Sequence, residues 1–368
     1  MSIRVLHLGT EKTWRGGENQ IRLLIDGLAY KVDAQFAASP RNSVAYKEKR
    51  WKCEILPLIG SNPYNPINIL KLLQFIKKNR INLIDAHTAK AHTLALNVLR
   101  FLPDVRLVVH RRVDNVPKAN YLTKKKYFHH RVDRFIAISN FIKQVLLDYG
   151  VSENRISIAR SAVSDEAYQK ISRPFCQNDL KNRYAIPADA TVIGNASALS
   201  TQKGHETLLR AVAELKKKTQ NFRVLIAGDG DLKTDLQKLA EELQVQDFVR
   251  FTGFIQKVPD FLSGLDILAV PSNNEGLGTV ILDGVLAGCA VTASRVGGIP
   301  EIIIDNQTGL LCEVGDYKKL ADNLLELIQD PAKAEKLRIA AQQWVKKEFS
   351  LESMVEGNYK IYRDVLRK

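Results

Sequence analysis

Ile267-Leu-Ala-Val270 leads through Pro-Ser-Asn into Asn274-Glu-Gly-Leu-Gly-Thr-Val-Ile-Leu-Asp-Gly-Val-Leu-Ala-Gly288. The first four residues are an uninterrupted apolar run of strand length, as expected of a strand buried on both faces. The next stretch is polar and broken by Gly276 and Gly278. From Thr279 to Ala287 a helix is expected, and Ala290–Ala293 reads as the next strand. A buried strand passing through a glycine loop into a helix is the repeating unit of a doubly wound α/β sheet.

Working outward, the same rhythm fills the second half of the chain. Thr191–Ala196, Arg223–Ala227 and Phe248–Phe251 read as further strands. His205–Lys217, Leu232–Leu243, Tyr317–Ile328 and Ala332–Glu348 read as helices, with Pro331 suited to a first helical turn. Ser350 is a candidate N-cap for a last helix, Leu351–Leu366. The first half alternates independently. Ile3–Leu8, Gln35–Ala38, Glu54–Leu58, Asn82–Ala86, Arg106–His110 and Arg134–Ser139 are the expected strands. Helices are expected from Glu18, over Ile67–Lys78 with Ile69, Leu70, Leu73 and Ile76 inward, and over Phe141–Tyr149. The class is therefore α/β, two doubly wound Rossmann-like domains. The expected division is 1–170, 171–349 and a helix 350–368 returning to the first domain, with the linker inside Asp165–Asp189. In open α/β sheets ligands bind outside the carboxyl ends of the strands, and two such sheets would meet across a cleft.

A length of 368 residues, 45% hydrophobic and 26% charged, fits two soluble domains and excludes disordered and collagen-like classes. No apolar stretch approaches the ~18 residues of a spanning helix, and the opening residues are too soon interrupted for a secretory leader. The expected location is the cytoplasm. Cys53, Cys176, Cys289 and Cys312 form no short-spaced pair, so neither zinc site nor disulfide framework is expected. Charge is uneven. Residues 1–165 hold 28 Lys and Arg against 13 Asp and Glu, and residues 166–368 hold 26 against 27. An excess of 15 confined to one half points to an anionic partner there.

The chemistry concentrates in the opening stretch. Gly276 and Gly278 let a ligand approach the backbone, and the free amides of Gly278, Thr279 and Val280 form an anion site at a helix start. Glu275 can accept two sugar hydroxyls, and Asp283, one turn inside the helix, can accept a diol such as a ribose.

With Gly288 and Ser294-Arg-Val-Gly-Gly-Ile-Pro-Glu301, this segment resembles the C-terminal signature of family 4 glycosyltransferases, retaining enzymes of the GT-B fold. The resemblance extends over nearly the whole chain. It includes Trp14-Arg-Gly-Gly-Glu18, Leu199-Ser-Thr-Gln-Lys-Gly-His205, Ala227-Gly-Asp-Gly-Asp-Leu232, Phe251-Thr-Gly-Phe254, Val270-Pro-Ser272 and Thr308-Gly-Leu310. The variant with Trp-Arg-Gly-Gly-Glu and Asp283 is most similar to enzymes building lipopolysaccharide and other cell-surface glycans. The resemblance implies a nucleotide-diphosphate sugar as donor, with no metal and no other cofactor. It implies that Glu275 binds the donor sugar and helps the diphosphate depart, and that Gly276, Leu277, Gly278 and Thr279 hold sugar and diphosphate. Lys203 would neutralise the diphosphate, Gly16 and Gly17 would approach it, and Ser139 and Phe254 would line the donor site. Asp283 stands where the family usually has Glu, one methylene longer, as the ribose acceptor. His110 would lie close to the sugar, a place that Arg111 or Arg112 could also fill. His87 is a candidate for donor or acceptor contact.

One departure matters. Five residues before Lys203 the family commonly carries Arg, and here stands Ala198, which cannot replace a guanidinium on phosphate. Arg15, Arg111, Arg112 and Arg160 are the candidates to supply it. Asp229-Gly-Asp231 spells an acid-x-acid metal pattern but reads as a tight turn, with Asp231 able to cap the following helix. Lys124-Lys-Lys-Tyr-Phe-His-His-Arg131, together with Lys71, Lys77, Lys78 and Arg80, suits an anionic membrane surface, with Tyr127 and Phe128 as inserting aromatics. No nucleic-acid motif accompanies them. The expected protein is thus a transferase moving a sugar to a glycolipid or phosphorylated acceptor, such as a lipid-linked or lipopolysaccharide-type one, peripheral at the inner face of the cytoplasmic membrane. A sugar-nucleotide epimerase and a catalytically silent partner protein of the same fold are the alternatives.

Overall fold

The computed structural model describes residues 2–367. It divides into two compact units: one runs to Ala162 and resumes at Ser350, the other is Val163–Phe349. The division falls at Ala162, eight residues before the expected one. The stretch expected as linker carries helices Glu166–Gln169 and Arg173–Arg183 instead.

In the first unit seven strands form one sheet: β1 (Arg4–Leu8), β2 (Ala34–Pro40), β3 (Glu54–Leu58), β4 (Leu83–Ala86), β5 (Arg106–Arg111), β6 (Arg134–Ala137) and β7 (Ile156–Ile158). The order is β3-β2-β1-β4-β5-β6-β7. Every neighbouring pair is parallel. Ser139 lies beyond β6 and caps the helix Asn140–Asp148, its Oγ accepting from the Ile142 amide at 3.1 Å. The helix Pro66–Lys78 turns a different face inward from the one expected. Asn68, Leu72, Phe75 and Ile76 are buried and Leu70 is exposed. The reason is Asn68, whose side chain bonds both the amide and the carbonyl of Ile59 at 2.8 and 3.0 Å and fixes the helix's rotation. The last helix, Leu351–Leu366, begins at its Ser350 cap. Its Met354, Val355, Ile361, Tyr362 and Val365 share one core with Ile3, Val5, Leu24, Leu83, Val108 and Ile136.

The second unit is built alike: β8 (Thr191–Ala196), β9 (Phe222–Ala227), β10 (Val249–Gly253), β11 (Ile267–Val270), β12 (Ala290–Ser294) and β13 (Leu310–Cys312), ordered β10-β9-β8-β11-β12-β13 and parallel throughout. Its core joins Ile193, Val224, Ile226, Ile267 and Ala269 to Leu208, Val212, Leu215, Leu320 and Leu324.

Strand order reverses between β1 and β4 in one sheet and between β8 and β11 in the other. Such switch points leave a crevice at the carboxyl ends of the two strands, where ligands bind. The loops after β1 and β4, and after β8 and β11, are therefore the places this topology selects. Among the described residues no helix is long and apolar enough to cross a membrane.

Candidate active site

At the second unit's switch point the loops after β8 and β11 are laced together. Asn273 donates through its amide to the Gln202 carbonyl at 2.8 Å and through its side chain to the Thr201 carbonyl at 2.7 Å. Gly204, at φ +65, lies so close to Pro271 that a Cβ would stand 1.9 Å from that carbonyl oxygen. This lacing carries Lys203, on a 3-10 turn Thr201–Lys203, to Glu275: Nζ lies 2.5 Å from Oε1. Glu275 is itself held from behind. Gly297, at φ +57, packs its α-carbon on the Glu275 carbonyl, where a Cβ would come within 1.6 Å, and the Gly298 amide donates to the same oxygen at 3.3 Å. The signature glycines 297 and 298 thus serve to place the carboxylate. Both side chains stay partly accessible, 22% for Lys203 and 11% for Glu275.

Gly278, at φ +89, starts the helix Thr279–Leu286. Its first amides, with those of Gly276 and Leu277, are the anion-binding feature expected of a helix start. Thr279, Val280, Asp283 and Leu286 form the helix's half-buried stripe, and Asp283 is its one charge. The carboxylate accepts from the Tyr168 hydroxyl at 2.8 Å. Burial pushes the Asp283 carboxyl up to about 6, against the lowering effect of that hydrogen bond. Phe254 follows β10 and is exposed. Ala198 is exposed and brings no cation.

Asp229-Gly-Asp231 leads into a turn, closed by the Lys233 amide on the Gly230 carbonyl at 3.2 Å. The Asp229 carbonyl accepts from the Leu199 amide at 3.0 Å, and its side chain bonds the Gly230 amide. Asp231 does not cap the next helix, which begins after Leu232 with no side-chain cap.

The first unit's switch point holds a cluster whose full extent the sequence did not reveal. His7 on β1, Asp85 on β4 and His110 on β5 share one face of the sheet, and His87 follows β4. His87 stacks between His7 and His110, with ring centroids 5.4 and 4.8 Å away. The hydrogen bonds run in one direction. Arg112 donates to His87 Nδ1 at 3.0 Å, so His87 Nε2 carries the proton and gives it to His7 Nδ1 at 3.1 Å. His7 Nε2 then donates to Gln35 Oε1 at 3.2 Å, and the Gln35 amide ends on the Ile25 carbonyl. Beside this chain, Asp85 accepts from His110 Nδ1 at 2.7 Å and from the Tyr362 hydroxyl. Burial pushes His7 down to about 4 and lowers His87 and His110 too, so the three rings are neutral at pH 7. Burial works against the Asp85 carboxylate, but the hydrogen bond it accepts from His110 helps hold it below the ordinary range. His7, Asp85 and His87 offer ligand atoms within 4.8 Å of one another. A cation there would meet the Arg112 guanidinium and break a closed hydrogen-bond chain, so these residues fit a network better than a metal. The signal for His7 and Asp85 was a polar residue inside each of two otherwise apolar strands.

The remaining candidates sort clearly. Arg15 is exposed at the N-cap of the helix Gly16–Leu28, so Gly16 and Gly17 supply that helix's first amides. Arg111 is buried and committed to the Tyr127 hydroxyl at 2.8 Å and to Asn115, and Arg112 to His87. Arg160 is half-buried on the segment after β7. Tyr127 cannot insert into a membrane. It is buried, stacked on Phe135 at 5.5 Å, and Lys126 lies against its ring. Tyr121 and Leu122, one turn earlier on the helix Tyr121–Tyr127, are the exposed apolar residues, with Phe128 beyond them.

Two family models match, in the order of the two units. "Glycosyltransferase Family 4" covers residues 14–166 and "Glycosyl transferases group 1" covers 177–344. The chain belongs to the family 4 glycosyltransferases. Relatives of this chain include N-acetyl-alpha-D-glucosaminyl L-malate synthase of Bacillus anthracis, 31% identical over 51% of this chain and 49% of its own length. Another is the lipopolysaccharide core biosynthesis glycosyltransferase LpsD of Rhizobium meliloti, 32% identical over 50% and 51%. The chain spans about half the length of such curated relatives. Whole-chain likeness comes from solved structures: a glycosyltransferase of Rickettsia africae ESF-5 (TM-score 0.87, 22% identity, 100% of this chain and 99% of that one). Anabaena Alr3699/HepE in complex with UDP-glucose follows (0.84, 20%, 98% and 100%). At these identities the likeness carries the GT-B fold.

Proposed function

We propose that this protein is a retaining glycosyltransferase that moves a sugar from a nucleoside-diphosphate sugar to a lipid-linked or lipopolysaccharide-type acceptor. The observation that carries the reading is the Lys203–Glu275 pair beside a glycine-flanked helix start at a sheet switch point. A cation for the diphosphate, amides for its oxygens and a carboxylate for sugar hydroxyls lie together there. The second unit holds the donor. Lys203 and the amides of Gly276 to Thr279 stabilise the departing diphosphate, and Glu275 orients the sugar. Transfer proceeds on the front face with the leaving phosphate as base. His110 belongs to the sugar side of this reading, which requires its buried ring to open to substrate.

The acceptor class rests on the first half's positive excess and on relatives such as the lipopolysaccharide core enzyme LpsD and a phosphatidylinositol monomannoside mannosyltransferase of Mycobacterium tuberculosis. Exposed Tyr121 and Leu122 beside Lys124 and Lys125 give the first unit a surface suited to an anionic membrane.

The test is a thermal-shift series with UDP-, GDP- and ADP-sugars, followed by transfer to glycolipid acceptors. A saturating donor at 100 times its Kd should add about 2.7 kcal/mol of stability. No shift with any nucleotide sugar would overturn the reading. Conversion of the sugar nucleotide without acceptor would make the protein an epimerase.

A further inference from the structure

Asp283 is one methylene shorter than the glutamate expected at its position, yet its carboxylate is not left to rotate. It stands on the half-buried stripe of the helix Thr279–Leu286, four residues from Thr279 and hence on the same side as the glycine-flanked start. Tyr168 reaches it from the helix Glu166–Gln169, 115 residues earlier in the chain, and its hydroxyl donates to Oδ1 at 2.8 Å. Tyr168 is itself only partly accessible. The nearby charges are engaged elsewhere: Lys346 lies 3.7 Å from Asp165, and Arg173 donates to the Ala287 and Leu265 carbonyls.

We propose that Tyr168 is a positioning residue for the donor nucleoside: its hydroxyl occupies Oδ1 of Asp283 and turns Oδ2 to accept from the ribose. This rests on the reading of Asp283 as the ribose acceptor. A short carboxylate tied at one oxygen grips a ribose through the other, so recognition depends on one hydroxyl contact made by a preorganised acceptor. A longer carboxylate reaches further without the tie. Tyrosine and shortened acid therefore work as a pair, and a glutamate at 283 makes the hydroxyl dispensable.

Isothermal titration of the full chain with UDP, GDP and ADP, each beside its 2′-deoxy counterpart, tests this. The base that binds is then used throughout. The wild type should prefer the ribonucleotide by on the order of tenfold, the worth of a hydrogen bond to a charged group. Tyr168→Phe should lose most of that preference while its melting curve stays within a few degrees. Asp283→Glu in the Tyr168→Phe background should restore it, which a merely structural tyrosine would not allow. A preference unchanged in Tyr168→Phe, or not restored by Asp283→Glu, overturns the positioning role. A wild type with no ribose preference, or an Asp283→Asn variant that keeps it, overturns the ribose reading itself. Failure of all three diphosphates to bind overturns both.

Discussion

Lys203 Nζ lies 2.5 Å from Glu275 Oε1, so the cation assigned to the diphosphate and the carboxylate assigned to the sugar neutralise each other. Each partner offsets the other's desolvation cost, and in the proposed reading a donor takes the place of this contact. On that reading a diphosphate would offer Lys203 a stronger charge than one carboxylate, and sugar hydroxyls would offer Glu275 new donors.

From this exchange follows the first prediction. Glu275→Ala should lower turnover by at least about 100-fold, the usual cost of deleting a key transition-state contact. It should leave the melting temperature nearly unchanged, because Lys203 keeps 22% exposure and can turn to water. Steady-state kinetics with circular-dichroism melts check it, and near-normal turnover would remove Glu275 from the site.

The histidine network gives a prediction about folding. Asp85→Ala removes the acceptor for His110 Nδ1 and Tyr362 in a fully buried place. Stranding buried donors beside a lost charge should cost about 3–5 kcal/mol, and Tyr362→Phe, which strands one carboxylate oxygen, about 1–3 kcal/mol. Urea unfolding followed by tryptophan fluorescence measures both. A loss below 1 kcal/mol in Asp85→Ala would mean that water enters the cluster.

The same network should ignore metal chelators. His87 Nδ1 already accepts from Arg112 and its Nε2 proton is spent on His7, so binding a cation would break two hydrogen bonds beside a guanidinium. Transfer activity should survive EDTA, and zinc should not raise the melting temperature. Loss of activity in EDTA restored by manganese would show a cation in the reaction.

Much of this was legible in the residues, and the rest was hidden for physical reasons. The stretch 267–288 announces strand, loop and helix because apolar periodicity and glycine placement are local. β7 and β13 went unread because three residues carry no period. The inward face of Pro66–Lys78 was misread because Asn68 is polar, and only its bonds to Ile59 explain its burial. Lys203 and Glu275 were each chosen, but their contact spans 72 positions and depends on Asn273 lacing two loops. His7 was missed because its neighbours come from β4, and that β1 lies beside β4 is a fact of strand order.

Donor binding should depend on pH through Asp283. Burial pushes its carboxyl up to about 6, above the usual value, and the proposed ribose contact needs the ionised form. Affinity for a nucleoside diphosphate should thus fall as pH drops from 7 through 6. Asp283→Asn should bind more weakly and lose this dependence. Titrations from pH 7.5 to 5.5, corrected for phosphate ionisation with a variant-matched control, decide it; equal slopes in both proteins would sink the assignment.

Adsorption to anionic membranes is the last prediction, and the structure sharpens which residues should drive it. Of the basic run 124–131, Lys126 is withdrawn, its ammonium against the Tyr127 ring and its pKa lowered by burial. Lys124 and Lys125 remain exposed; they lie three and four residues from Tyr121, and Lys125 three from Leu122, so Tyr121 and the two lysines share a side of one short helix. Val113 and Val116 on the preceding segment are exposed as well. Each basic residue near an anionic surface contributes about 1 kcal/mol, fading within a Debye length, and buried apolar side chains add to it. Co-sedimentation with vesicles containing phosphatidylglycerol should therefore succeed at low salt, weaken at 0.5 M salt and fail with neutral vesicles. Lys124→Glu with Lys125→Glu should abolish it by reversing two charges, and Leu122→Ser should weaken it at every salt concentration because the apolar contribution is not screened. Both variants should keep their affinity for nucleoside diphosphate, since these residues lie in the unit that does not carry Lys203 and Glu275. A wild type that ignores anionic vesicles at low salt would assign the first half's positive excess to a phosphorylated acceptor free in solution.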